Sequence, residues 1–240
     1  MQPLFQCVRE REIELNDVKD IVITGDVGCT GFDDESKAVL ASILRHKADI
    51  FLILGDLAFT GEKKEIQEIM DFCNKRATAP VYSLCGNHDI PGYKDFCGLS
   101  SYALIFPGIA CVLLDNSTSR FLASDMEFLE KIFNKYADKK FIIFFHIPPP
   151  FASLASAMSD MEWSRIRNIT DKFKDRIVCM ICGHIHGFYE YIKDGYRIFI
   201  TAGGGGKMLY DLPEGGSKLY HALKVSVGGD VPVEIKVIPV

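Results

Sequence analysis

The chain has 240 residues, of which 48% are hydrophobic and 25% charged, enough for one sizeable core in an ordinary globular domain. A formal net charge of −5 and the lack of Lys/Arg stripes with interleaved aromatics argue against nucleic acid or anionic lipid as a partner. No apolar run approaches the roughly 20 residues that span a bilayer, and the opening MQPLFQCVRE lacks a hydrophobic signal core, so a cytoplasmic protein with no membrane partner is expected.

Strand and helix alternate through the first three quarters of the chain. Lys19 to Thr24 reads as a short strand, followed by a helix from Asp34 to Lys47 whose buried stripe would be Ala38, Leu40, Ala41, Ile43 and Leu44. Ile50 to Leu54 is wholly apolar, as a strand covered on both faces should be. A second helical pattern runs from Glu62 to Arg76, with Ile66, Ile69, Met70 and Cys73 on one side, and leads to a strand over Val81 to Cys85. Next come a strand at Ala110 to Leu114, a helix from Ser124 (as N-cap) to Tyr136, a strand at Phe141 to Phe145 and a helix from Asp160 to Phe173. After the strand Ile177 to Cys182 the pattern turns all-β. Phe188 to Lys193 and Arg197 to Thr201 form a hairpin around Asp194-Gly195, and strands follow at Ala222 to Val227 and Val233 to Ile238. No linker or repeat divides the chain, so 1–240 is taken as one domain. Gly203 to Gly206 is too short for a linker and reads as backbone passing close to something.

Of the eight cysteines, Cys85, Cys111, Cys179 and Cys182 fall in or at the ends of apolar strand-like runs, where a free thiol behaves as a small hydrophobe. Cys179 and Cys182 have C-x-x-C spacing, but residues three apart on a strand point to opposite faces, which disfavours a shared metal or a redox pair.

Four short stretches end strands with chemistry: ITGDVG (Ile23 to Gly28), LGDLAF (Leu54 to Phe59), CGNHD (Cys85 to Asp89) and CGHIH (Cys182 to His186). A lone FFHIPPP (Phe144 to Pro150) adds a further histidine. Each puts Asp, Asn or His where a buried strand gives way to a loop, the place at which open α/β sheets bind ligands. Taken singly, each has an ordinary explanation: a strand-end Asp is often a turn residue, and Asn87-His88 could be turn chemistry. Taken together, four of the six histidines fall in these stretches beside Asp26, Asp56 and Asn87, a set able to hold two metal ions for hydrolytic phosphate chemistry. His46 and His221 have no such company. Arg120, Arg165 and Arg167 are candidate phosphate contacts, with solvated surface positions the better reading.

GD-x-G, GD, GNHD, a lone strand-end His and GH-x-H, in this order, resemble the calcineurin-like metallophosphoesterase superfamily over roughly Asp20 to Gly206. The resemblance implies an α/β fold, a four-layer α/β/β/α sandwich with two mixed β-sheets. It also implies a metal-dependent phosphoesterase that hydrolyses phosphomonoesters or phosphodiesters by a hydroxide activated between two metals. Carried over residue by residue, Asp56 bridges two ions, Asp26 and His186 hold the first, and Asn87, His146 and His184 hold the second. His88 is the catalytic residue that protonates the leaving oxygen or stabilises its charge. Mixed Asp, Asn and His ligands suit two divalent or mixed-valence transition-metal ions, Mn, Fe or Zn. The implied partner is a small phosphate ester.

Two departures stand out. Most of the superfamily reads D-x-H in the first motif, where this chain has Asp26-Val27-Gly28. The purple acid phosphatase branch shares D-x-G but adds a tyrosine ligand in GD-x-x-Y, and here that position is Phe59. The first ion is left with Asp26, Asp56 and His186, and Cys29 or Thr30 of the same loop could lend an atom. This gives weight to the alternative of a non-catalytic scaffold with a degraded site, such as the retromer subunit of the superfamily.

Overall fold

The computed structural model describes residues 3–151, 156–209, 211–227 and 233–240. In chain order these form β1 (Glu12–Glu14), β2 (Asp20–Thr24), α1 (Asp34–Ile43), β3 (Ile50–Ile53), α2 (Lys63–Arg76), β4 (Val81–Ser83), α3 (Tyr93–Cys97) and β5 (Tyr102–Phe106). They continue with β6 (Ile109–Leu113), α4 (Ala123–Lys135), β7 (Lys140–Phe145), α5 (Asp160–Thr170), β8 (Ile177–Cys182), β9 (Phe188–Lys193), β10 (Tyr196–Thr201), β11 (His221–Val227) and β12 (Val233–Pro239).

The strands make two mixed sheets, one of five strands in the order β12-β11-β2-β3-β4 and one of seven in the order β1-β5-β6-β7-β8-β10-β9. Period-2 alternation sorts their side chains into layers. Ile21, Ile23, Ile50 and Leu52 of the smaller sheet meet Ile142, Phe144, Cys179, Ile181 and Phe199 of the larger one in a core between the sheets. Val22, Phe51 and Ile53 turn the other way to pack with Leu40, Ile66 and Ile69 of α1 and α2. On the outer face of the larger sheet, Ile143, Phe145 and Met180 pack with Leu129, Ile132 and Ile166 of α4 and α5. The result is the expected α/β/β/α sandwich. Strands covered on both faces explain the unbroken apolar runs of β3 and β7. Cys179 and Cys182 fall in different cores, as opposite faces of one strand require, and all eight thiols are free.

Several boundaries differ from expectation, for local reasons. Helix α1 does not continue to Lys47. Its end tightens at Arg45 and His46, whose N–H groups donate to Ser42 and Ile43 in three-residue steps. Its buried face is Ser36, Val39, Leu40 and Ile43, with Ala38 exposed. Ser124 is not the N-cap of α4: Leu122 is, and its carbonyl accepts from Asp125 and Met126. Helix α5 ends at Thr170, and a 3-10 turn over Asp171–Arg176 follows, kinked at Phe173.

Within the sheets, β2, β3 and β4 are mutually parallel, as are β7, β8 and β10. Both parallel sets deliver their carboxyl ends to one edge of the sandwich, where their loops interlock. The Asp26 N–H donates to the Gly55 carbonyl (3.0 Å), Gly28 N–H to Asp56 (3.0 Å), Gly183 N–H to His146 (3.0 Å) and Gly206 N–H to Asp26 (2.7 Å).

Candidate metal centre

Asp26 and Asp56 lie just beyond the carboxyl ends of the parallel strands β2 and β3, and both adopt left-handed backbone, with φ of 60° and 53°. His184, just beyond β8, does the same at 71°. Such conformations cost on the order of 1–3 kcal/mol each and persist where surrounding structure over-determines them, typically at functional sites. Here they swing three polar side chains inward at the point where each strand stops. The glycine of GNHD follows from this arrangement: a Cβ at Gly86 would lie 2.2 Å from Asp56 Oδ1, so only glycine leaves room for that carboxylate.

The buried side chains gather into two donor groups. Asp26, Cys29 and His186 offer ligand atoms all within 4.8 Å of one another, and so do Asp56, His146 and His184. Asn87 joins the second group, with Oδ1 3.0 Å from His146 Nε2. Within the second group His146 Nε2 is 3.4 Å from Asp56 Oδ1 and 3.3 Å from His184 Nδ1. In the first, His186 Nε2 lies 3.6 Å from Asp26 Oδ1 and 3.2 Å from Cys29 Sγ.

The imidazole orientations are set by backbone. His146 Nδ1 lies 2.7 Å from the Leu54 carbonyl and His186 Nδ1 against the Lys207 carbonyl, so each donates there and presents Nε2 to the site. A ring nitrogen donating to a carbonyl while the other faces the centre is the usual posture of a metal-ligating histidine.

Burial dominates the electrostatics. It pushes the Asp26 carboxyl well above the usual range despite the neighbouring His146, and raises Asp89 to about 7, with the Asp56 charge adding to the effect. Burial also works to raise Asp56, but His146 alongside outweighs it and holds that carboxyl low; the same pairing raises His146 against its own desolvation. Burial and the His146 charge drive His184 down to about 3, and burial lowers His186, so both rings are neutral and able to ligate. Among the described residues, no lysine or arginine pairs with Asp26, Asp56 or Asp89, although all three are buried. His146 balances Asp56 alone, and further buried carboxylate charge is costly. Two donor groups, one of oxygen and nitrogen and one that adds the Cys29 sulfur, fit divalent ions.

His88 stands at the rim, half-buried. Its N–H donates to Asp56 Oδ1 (3.0 Å), and its Nδ1 lies 2.7 Å from the Phe59 carbonyl. Phe59 is no ligand; its half-exposed ring stacks on the imidazole at 6.1 Å and 20°. Of the candidate arginines, Arg165 is engaged by Glu162 and Arg167 by Asp171 and Asp194, so neither is free for phosphate. Arg120 lines a cavity of about 130 Å³ with Ile90 and Lys94, beside the loop after Asn87.

Two contributors, Asp89 and Asn116, escape a reading of motifs, while Cys29 is one of the two candidates that its loop offered. Asp89 closes the GNHD turn and accepts the N–H groups of Gly86 (2.9 Å) and Ala58 (3.0 Å), tying two motif loops together. Asn116 is buried just beyond β6, and its Oδ1 accepts from His146 N (2.9 Å) and Ile147 N (3.0 Å). Cys29 enters the first donor group because the Gly203–Gly206 backbone folds across it, the close passage its glycines suggested. Of the loop Pro148 to Ser159, residues 152–155 lie outside the described residues.

The calcineurin-like phosphoesterase family profile matches residues 19–188. A probable glycerophosphodiester phosphodiesterase, GpdQ of Arcobacter nitrofigilis, is 24% identical over 163 residues, covering 60% of this chain and 58% of that protein. The chain thus matches little more than half the length of this relative. Among solved structures, GAP50, described as the anchor in the inner membrane complex of Plasmodium, superposes with a TM-score of 0.70 at 10% identity, over 92% of this chain and 84% of that one. The protein TT1561 of Thermus thermophilus gives a TM-score of 0.54 at 11% identity, over 91% and 98%. The family match spans the strand-end motifs from the first donor group to the last, and the chain belongs to the calcineurin-like phosphoesterase family.

Proposed function

We propose that the protein is a metal-dependent phosphoesterase acting on small phosphomonoesters or phosphodiesters at a two-ion centre. The observation that carries this reading is the convergence of Asp26, Asp56, Asn87, His146, His184 and His186, from strands of both sheets, into two adjoining, largely buried donor groups. Asp26 and His186 would hold one ion, Asn87, His146 and His184 the other, with Asp56 shared. Ions so held would lower the pKa of a water and offset charge on the phosphoryl oxygens of an in-line displacement.

The chain's own residues do the rest. His146 and His186, locked through Nδ1 on backbone carbonyls, keep Nε2 aimed inward without reorganisation. Asn87 adds a neutral oxygen, which limits the negative charge that an anionic substrate meets. His88, fixed through Nδ1 on Phe59, has Nε2 as the ring atom that can carry a proton to the leaving oxygen. Lys94 and Arg120 along the neighbouring cavity suit the far end of an anionic substrate. The relationship to a probable glycerophosphodiester phosphodiesterase supports a small diester as the first substrate to try.

A non-catalytic anchor is the second reading, favoured by Gly28 in place of a ligand and by the likeness to GAP50. Asp26 and Asp89, buried with no lysine or arginine partner among the described residues, weigh against it, since a scaffold has no use for them.

The test is to strip the protein of metal, titrate Mn²⁺ back and follow bis-p-nitrophenyl phosphate and p-nitrophenyl phosphate hydrolysis. Hydrolysis should appear with Mn²⁺, and Asn87→Ala should raise the Mn²⁺ requirement by about 10–100-fold, the scale of disturbing a ligand's surroundings. Two ions bound with neither ester turned over would favour the anchor.

A further inference from the structure

We propose that Cys29 is a ligand of the first ion, completing a carboxylate–imidazole–thiolate subsite with Asp26 and His186 that selects zinc over manganese. This rests on the two-ion reading above and adds to it the missing donor and the identity of the metal.

The first motif cannot supply a ligand at its third position. A Cβ on Gly28 would lie 1.9 Å from the Leu57 carbonyl oxygen, and the Gly28 N–H is committed to the Asp56 carbonyl (3.0 Å). The next residue compensates. Cys29 turns its side chain back over Asp26, and its Sγ comes to 3.2 Å from His186 Nε2. His186 has its other nitrogen on the Lys207 carbonyl, so the nitrogen facing sulfur is the one oriented for a ligand. Gly206 closes the far side, where a Cβ would be 2.7 Å from Sγ, leaving the thiol no second place to go. Three donors from two loops thus converge on one point.

The contact could instead be a plain thiol–imidazole hydrogen bond, or the beginning of a nucleophilic dyad. The second is disfavoured because Cys29 is 2% exposed and burial, with Asp26 and Asp56 nearby, stabilises the neutral thiol. The first does not explain why a buried carboxylate with no lysine or arginine partner shares the cluster. On ion binding the S–H proton leaves to solvent as the metal–sulfur bond forms, since a coordinating thiol is deprotonated outright. Thiolate is a soft ligand that favours zinc, and the second group, all oxygen and nitrogen, has no such bias.

The experiment uses the whole protein, stripped of metal under reducing conditions and loaded with Zn²⁺ for X-ray absorption, and with Co²⁺ for optical spectra. The expected result is one sulfur per two zinc ions, at about 2.3 Å, and a thiolate-to-cobalt charge-transfer band in the near ultraviolet. Cys29→Ser should abolish both and weaken one of the two binding steps by at least about tenfold. Cys85→Ser, at a neighbouring strand end, should leave both intact. Two ions bound with esters hydrolysed but no sulfur in the shell would overturn the proposal and spare the phosphoesterase reading. A sulfur signal lost in Cys85→Ser, or kept in Cys29→Ser, would also overturn it. Failure to bind any ion would sink both.

Discussion

Gly28 stands where most of the superfamily carries a histidine, and the backbone around it shows why the exchange is not a simple loss. With the Leu57 carbonyl 1.9 Å from where a Cβ would begin, the Asp26 and Asp56 loops are packed closer than a side chain allows. Restoring the family's residue should therefore harm the protein. Gly28→His is expected to lower stability by about 1–3 kcal/mol, the usual cost of overpacking, without tightening the first ion. Urea denaturation together with metal titration measures both effects. A variant as stable as the parent that binds the first ion more tightly would show that this loop yields, and that Cys29 is not needed. The left-handed Asp26, Asp56 and His184 belong to the same trade. Local backbone comfort is given up so that loops from separate strands can crowd one point.

At the scale of elements, the legible strands were those covered on both faces, because their apolar runs are unbroken: β3, β7 and β8 stand out in sequence for that reason. Less legible were elements defined only by a distant partner. Strand β1 is three residues that exist because Glu12 to Glu14 pair with Ala103 to Ile105, and α3 is too short for any periodicity. The site divides in the same way. Asp26, Asp56, Asn87, His146, His184 and His186 could be named because each ends a strand within a recognisable motif. Asn116 could not, since its role depends on β6 and β7 ending side by side. Its amide bonds three backbone groups, with Nδ2 donating to Ile147 O (2.8 Å) in addition to the two N–H groups it accepts. Asn116→Ala should cost about 3 kcal/mol, given roughly 1–3 kcal/mol for each buried group left unpaired. It should also weaken metal binding, because the loop carrying His146 loses its clasp. Asn116→Asp keeps the acceptor and should recover part of both. Equal metal affinity in all three proteins would make Asn116 a packing residue only.

At the scale of the whole molecule, two sheets must be held with their carboxyl edges in register, and His221 is one of the pins. It opens β11 in the smaller sheet, is fully buried, and its Nε2 lies 3.0 Å from Thr201 Oγ1 at the end of β10 in the larger one. Its Nδ1 is 3.0 Å from the Leu219 carbonyl and must donate there, so Nε2 accepts the threonine hydroxyl and the ring is neutral. Burial lowers its pKa from 6.5 to about 4, only partly offset by the Leu219 carbonyl. Above pH 6.5 the ring is uncharged whether the chain is folded or not, and contributes no pH dependence. Below 6.5 the unfolded chain takes up a proton that the folded one refuses, so stability falls with pH until the native ring also protonates near 4. The loss attributable to His221 is about 3 kcal/mol over that window, at roughly 1.4 kcal/mol per unit. Buried Asp26 and Asp89 act in the opposite sense, because their raised values favour the folded state as they protonate, so the total slope mixes several groups. The contribution of His221 is isolated by comparing metal-free parent and His221→Gln in urea at about pH 7 and about pH 4. The parent should lose about 3 kcal/mol more than the variant on acidification. A difference between the two proteins that stays constant with pH would mean that the ring is already charged, or is solvated, in the folded protein.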